Sequence, residues 1–190
     1  MTRLLALAAL LSWAPAASAA GRVLATTGVL TAGGAALKAG DALPNDEILL
    51  SSGTATLAIE GGRFLLKGPA RFTPRKSYFR LDFGSLLSVL THRAGRRFQV
   101  RTPTAVAAVR GTDFYVEVGT KREVDVCICR GALEVSAKGM DVLPMAAEHH
   151  LNYRFWPVKS GVARDKSPMR GHTDEELDAL RDLLAEEALK

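Results

Sequence analysis

The stretch Phe98–Val118, FQVRTPTAVAAVRGTDFYVEV, constrains the fold more than any other part of the chain. Phe98–Thr102 reads as a short strand. Pro103 ends it, because proline has no N–H to give a ladder and belongs at an edge or a turn. Ala105–Val109 is a run of small apolar residues. Beyond Arg110-Gly111-Thr112, Phe114, Val116 and Val118 alternate with Asp113, Tyr115 and Glu117. That is the period of a strand with one buried face. Gly111, between two apolar runs, predicts a bulge or a close backbone approach. Thr112 suits a strand, and Arg110 is expected to pair with Asp113 or Glu117. Pro103, Arg110, Gly111 and Thr112 are therefore read as structural residues rather than ligand contacts.

The same grammar extends both ways. Ile48–Leu50 and Thr54–Glu60 alternate as strands, Gly61-Gly62 is a hairpin turn, and Arg63–Lys67 returns until Gly68-Pro69 breaks it. Leu81–Leu90 is a strand or a short helix. Glu123–Cys129 is a strand, Arg130-Gly131 a tight turn and Leu133–Ala137 the return, giving an antiparallel meander. With no helix signal before residue 170, the expected class is all-β: an antiparallel two-layer sandwich or roll. Residues 138–171, punctuated by Pro144, Pro157, Gly161 and Pro168, read as an irregular extension with one strand over Leu151–Trp156. Residues 172–190 read as a C-terminal amphipathic helix. Thr173 is its N-cap and Glu176 completes a capping box. Leu177, Leu180 and Leu184 form its apolar stripe, widened by Leu183.

The block Thr102–Thr112 with Phe114 and Val116 resembles the signature of FecR-type domains, extracytoplasmic sensing domains. Gly40-Asp41 with Leu43, and Leu57–Gly62, resemble the family's upstream turn and strand. The resemblance spans Arg22–Ala137, so residues 20–137 are expected to form a FecR-like β-domain. It implies a strand at Leu81–Leu90. Many FecR-type proteins span a membrane and act on a sigma factor through a cytoplasmic portion. Here the resemblance implies the sensing half alone, recognising an envelope component or partner protein.

The N-terminus points to export. Arg3 precedes a short apolar run, Leu4–Leu11, and Ala17-Ser18-Ala19 is a small-x-small site, with cleavage expected before Ala20. Residues 1–19 read as a signal peptide, too short in its apolar part for a spanning helix, which needs ~20 residues. No cysteine lies near the cleavage site for a lipid anchor. The expected location is the periplasm or the outside, and no later segment is long enough to span a membrane.

The 190-residue chain carries a formal charge of +5, which favours anionic partners without naming one. From Arg63 to Arg101, ten basic residues accompany a single acid, Asp82. Arg75, Lys76, Arg96 and Arg97 would form a surface for a cell-wall or other anionic ligand. The alternative is a solvated strand face guarded by its charges, or a patch covered by the acidic C-terminal tail. Export argues against nucleic acid.

The only two cysteines are Cys127 and Cys129. On a strand they share a face, opposite Val124, Val126 and Ile128, and are expected to project outward with Cα atoms roughly 6.5 Å apart. Parallel thiols at that spacing suit a metal better than a relaxed disulfide. With His172 and one of the adjacent pair His149 and His150, they make a tetrahedral donor set for zinc. Iron or another transition metal would also accept it. A strained or redox-active disulfide and a pair of buried apolar fillers remain open alternatives. The chain holds no Gly-x-Ser-x-Gly elbow, phosphate loop or His-Glu-x-x-His, so no enzyme is expected. Three functions are left: a binding or sensing module, a metal- or redox-handling domain, and an envelope scaffold that sequence does not distinguish from the first.

Overall fold

The structure is a computed structural model that describes residues 19–91 and 97–188. The leader, apart from its last residue, and Arg96 of the basic group lie outside the described residues. Fifteen strands and one helix follow in order. They are β1 (Gly21–Thr26), β2 (Leu30–Ala32), β3 (Ala35–Ala36), β4 (Ala42–Leu43), β5 (Ile48–Leu50), β6 (Thr54–Ile59), β7 (Gly62–Pro74) and β8 (Tyr78–Leu90). Then come β9 (Phe98–Arg101), β10 (Ala105–Val109), β11 (Asp113–Val118), β12 (Val124–Ala137), β13 (Leu143–Ala147), β14 (Leu151–Val158), β15 (Gly161–Lys166) and α1 (Asp174–Ala188). All the strands belong to one hydrogen-bonded network that rolls over a single main core. The class is all-β with one C-terminal helix.

Three long strands, β7, β8 and β12, carry the roll, and two of them, β7 and β12, continue where the sequence predicted a stop. β7 continues through Gly68-Pro69, where its register with β8 shifts between Lys67 and Arg71. Gly84 of β8 faces this bend with φ +97°. A Cβ there would stand 2.5 Å from the Ala70 Cβ, so only glycine lets the two strands approach. β12 likewise runs straight through Arg130-Gly131 instead of turning back. Before the glycine it pairs with β11 and β14; after it, with β10 and β13. Glycine serves a bend or bulge as readily as a reversal, so composition alone could not separate them. One further departure is the parallel pairing of β8 with β9. The extension 138–171 holds three strands, β13 to β15, rather than one.

The main core is built from the inward faces. Phe79 stacks between Phe64 and Phe72, with ring centroids 5.9 and 5.1 Å away. Phe114, Val116 and Val118 of β11 meet Val124, Val126 and Ile128 of β12 there. The other face of β11 is buried too, against the expectation of a half-buried strand. Leu87, Val89, Tyr115, Cys127 and Cys129 form a second cluster closed by Leu177 and Leu180 of α1. Alternation shows which residues share a face; a helix arriving from far along the chain decides whether that face is wet.

The α1 N-terminus closes with the capping box. The Glu176 amide donates to Thr173 Oγ1 at 3.3 Å, and the Thr173 amide donates to Glu176 Oε2 at 3.1 Å. Leu184 is half-buried on the second cluster, whereas Leu183 is exposed. Among the described residues no helix is long and apolar enough to cross a membrane.

Candidate metal centre

Cys127 and Cys129 do share the face opposite Val126 and Ile128, but that face is not open. They are 0% and 2% exposed, covered by α1 and the segment leading to it. The pairing of β12 with β11 explains their approach. Cys127 lies opposite Tyr115 and Ile128 opposite Phe114, yet Asp113 pairs with Arg130. Cys129 is thus the extra residue of a bulge, a feature that re-aims a side chain. Both cysteines are free thiols.

Two histidines come to them from different places. His150 stands just before β14, with φ +28°, a left-handed conformation that non-glycine residues adopt only when their surroundings enforce it. Its Nδ1 is 3.6 Å from Cys127 Sγ. His172 stands two residues before α1, and its Nε2 is 3.3 Å from Cys129 Sγ. The four donor atoms all lie within 4.8 Å of one another. Zinc with bonds of about 2.3 Å to sulfur and 2.0–2.1 Å to nitrogen spaces tetrahedral ligands roughly 3.3–3.8 Å apart. Small side-chain adjustments would close the set around such an ion.

The outer contacts orient both rings. His150 Nε2 is 2.9 Å from Asp174 Oδ1 in the first turn of α1. His172 Nδ1 donates to the Arg170 carbonyl at 3.1 Å, which leaves Nε2 as the acceptor facing the thiols. Each imidazole therefore turns a lone pair inward and a proton toward an oxygen, the usual arrangement around metal-binding histidines. The His172 ring also stacks on Tyr115, centroids 4.6 Å apart. Gly171, at φ +80°, makes that possible, since a Cβ there would run into the Tyr115 hydroxyl.

Electrostatics favour deprotonated sulfur at one position. A hydrogen bond from Cys129, outweighing burial and joined by His172 and His150, holds the Cys127 thiol down to about 5. The same hydrogen bond and burial push Cys129 up. Burial works against charge on His150, but Asp174 and Cys127 together raise its imidazolium above the ordinary range. Without metal, the cluster is a thiolate supported by a thiol.

The helix that completes the site is held modestly. Leu177 and Leu180 are its fully buried leucines, each contributing about 1.5–3 kcal/mol. Lys67 Nζ bridges to Glu176 at 2.6 Å, and Arg181 to Asp113 at 2.7 Å. A helix of 15 residues is marginal in water on its own.

The family model described as FecR protein matches residues 66–134. The chain carries a FecR-type domain. Two crystal structures of a candidate anti-sigma factor from Parabacteroides distasonis ATCC 8503, at 1.65 and 2.50 Å resolution, share its fold. Each has a TM-score of 0.54 and 15% identity, over 64% of this chain and 59% of theirs. At that identity the likeness is one of fold. This chain spans a little under three-fifths of those structures' length. No curated protein matches it by sequence.

The FecR-type match includes Cys127 and Cys129 but ends before His150 and His172. Of the adjacent histidines, the structure brings His150 to the thiols; His149 is exposed, its ring 4.5 Å from that of His150. Within the FecR signature, Pro103 sits in a turn where Thr102 Oγ1 donates to the Ala105 carbonyl at 2.7 Å. Gly111 has φ +63° and Thr112 Oγ1 donates to the Ala132 carbonyl at 2.8 Å. Arg110 is exposed. Asp113, one of its two expected partners, instead takes Arg181 of α1 and Arg130.

The structure brings part of the basic group together. Arg75 is half-buried and donates to the Pro74 carbonyl at 3.1 Å. Lys76 is exposed, and Arg97 bridges to Glu134 at 3.0 Å. Lys76 and Arg97 line a cleft of about 550 Å³ together with Glu60, Thr91 and Phe98. Among the described residues, the acidic tail meets this run through the Lys67–Glu176 bridge.

Sequence reasoning missed Asp125 and the pairing of Asp113 with Arg181 of α1. Asp125, 2% exposed, accepts from Arg154 Nη2 at 2.9 Å and also from Arg170, which tethers the segment before α1. Strand parity held the signal: Asp125 shares its face with Cys127 and Cys129, and Asp113 shares its face with Tyr115.

Proposed function

We propose that this chain is an exported, non-catalytic FecR-type sensing module whose input is a thiophilic transition metal, zinc first. Cys127, Cys129, His150 and His172 would be its ligands. The carrying observation is the convergence of four soft donors, within 4.8 Å of one another, from β12, the start of β14 and the approach to α1. Two thiolates and two imidazoles fill a tetrahedral shell and leave no position for substrate, the pattern of a structural or sensing site rather than a catalytic one. Iron would accept the same donors. The FecR-type match and the fold of the Parabacteroides protein support a regulatory role read out by a partner protein. The leader supports a periplasmic or secreted location, where an envelope protein or an anionic cell-wall component is within reach.

Metal analysis with thiol titration tests the reading on protein isolated from its own compartment. One metal per chain is expected, with both thiols shielded until a chelator is added. Metal-free protein with Cys127 and Cys129 joined would overturn it and favour a redox pair. The closeness of the two free sulfurs, within 4.8 Å of each other, is the observation behind that second reading.

A further inference from the structure

We infer that the bound metal latches α1 onto the sheet, so that metal occupancy decides whether the face beneath the helix is covered. This inference rests on the metal-binding reading above. The cluster straddles a seam. Cys127, Cys129 and His150 belong to the sheet, while His172 leads directly into α1. The outer shell crosses the same seam, because His150 reaches Asp174 in the helix's first turn. One ion bound by all four donors therefore ties the root of α1 to β12.

The rest of the attachment is thin. Among the described side chains of the helix, Leu177 and Leu180 are fully buried and Leu184 is half-buried. The ion pairs to Lys67 and Asp113 complete the contact. An undocked helix of this length does not hold its own structure in water. Beneath it lie Leu87 and Val89 of β8 and Tyr115 of β11, an apolar strip packed against Leu177 and Leu180. The main core, by contrast, is built almost entirely by strands and contains no described residue of α1. Loss of the metal is thus a local opening, a release of the helix with the roll left intact.

Hydrogen exchange on the full mature chain tests this. Amide exchange over residues 177–186 is followed with zinc alone added and then in excess chelator, with zinc content measured in the same samples. At one equivalent of zinc, these amides are expected to exchange about tenfold or more slower than in chelator, while those of β7 change less than about twofold. In His172→Ala, zinc addition is expected to leave helix exchange unchanged. Zinc bound stoichiometrically with no slowing in the natural chain overturns the latch and leaves the metal site standing. Full slowing by zinc in His172→Ala also overturns the latch. No zinc bound at all overturns both readings together.

Discussion

The two faces of the first half of β12, Val124 to Cys129, are both buried, by different means. Val124, Val126 and Ile128 enter a core made of apolar side chains from many strands. Asp125, Cys127 and Cys129, alternating with them, enter a layer of ion pairs, thiols and imidazoles closed by one helix. Burial on the first face is non-directional and shared among many residues, so its stabilisation is proportional to area. Burial on the second depends on particular partners, each of which leaves a costly orphan if removed. The first face makes the fold; the second makes it responsive.

The sharpest way to break that contrast is in the main core. Phe79→Ala removes the ring stacked between Phe64 and Phe72 and is expected to cost about 3–5 kcal/mol. Denaturant unfolding should show the same loss with zinc and with chelator. A loss that appears only in chelator would mean that the two faces are energetically one.

The pH dependence of zinc binding comes next. Cys129 is held above its ordinary range and carries a proton that zinc must displace, and the rise at His150 widens the pH range over which it too carries one. Cys127, held near 5, has already lost its own at neutrality. Apparent affinity is therefore expected to rise with pH, by about a hundredfold per unit while both protons are present. Once His150 has lost its proton, the slope falls to about tenfold per unit. Competition titrations with a chromophoric chelator from pH 6 to 8 measure it; a flat profile would remove one or both groups from the ligand set.

Asp125→Asn probes the polar face without touching a ligand. The carboxylate is buried, but Arg154 and Arg170 are 37% and 43% exposed and can return to water. The expected cost is about 1.5–3 kcal/mol, toward the low end because solvent screens those arginines. The signature should be local: faster amide exchange over residues 167–172, with β7 unchanged. A uniform loss across the sheet would show that Asp125 supports the whole roll.

What the sequence made legible follows from which interactions are local. The alternation of Phe114, Val116 and Val118, the Thr173–Glu176 capping box and the shared face of Cys127 and Cys129 each depend on a few neighbouring residues. Gly68 and Gly131 were read as breaks because a glycine's freedom permits a bend and a reversal alike; pairing partners far along the chain choose between them. The three strands of 138–171 are punctuated by Pro144, Pro157 and Gly161, which register with β12 and β14 accommodates. The thiols were expected outside because no local signal shows that Leu177 and Leu180 will land on them. Asp113 was one of two acids offered to nearby Arg110, whereas Arg181 reaches it across the fold.

The smallest effect separates the adjacent histidines. His150 faces Cys127 and is steadied by Asp174. His149 points to solvent, although it too lies near Asp174 and its ring rests against that of His150. If the site is the buried one, His149→Ala is a surface change worth at most about 0.5 kcal/mol, or roughly a twofold change in zinc affinity. His150→Ala removes a ligand and is expected to weaken binding by at least tenfold, since even outer-shell changes cost that much. Competition titration of both variants reads the difference directly. Equal losses would shift the centre toward the exposed group of His149, His150 and Asp174 and detach it from the thiols. An ion held there would still touch the first turn of α1, but it would no longer report on Cys127 and Cys129.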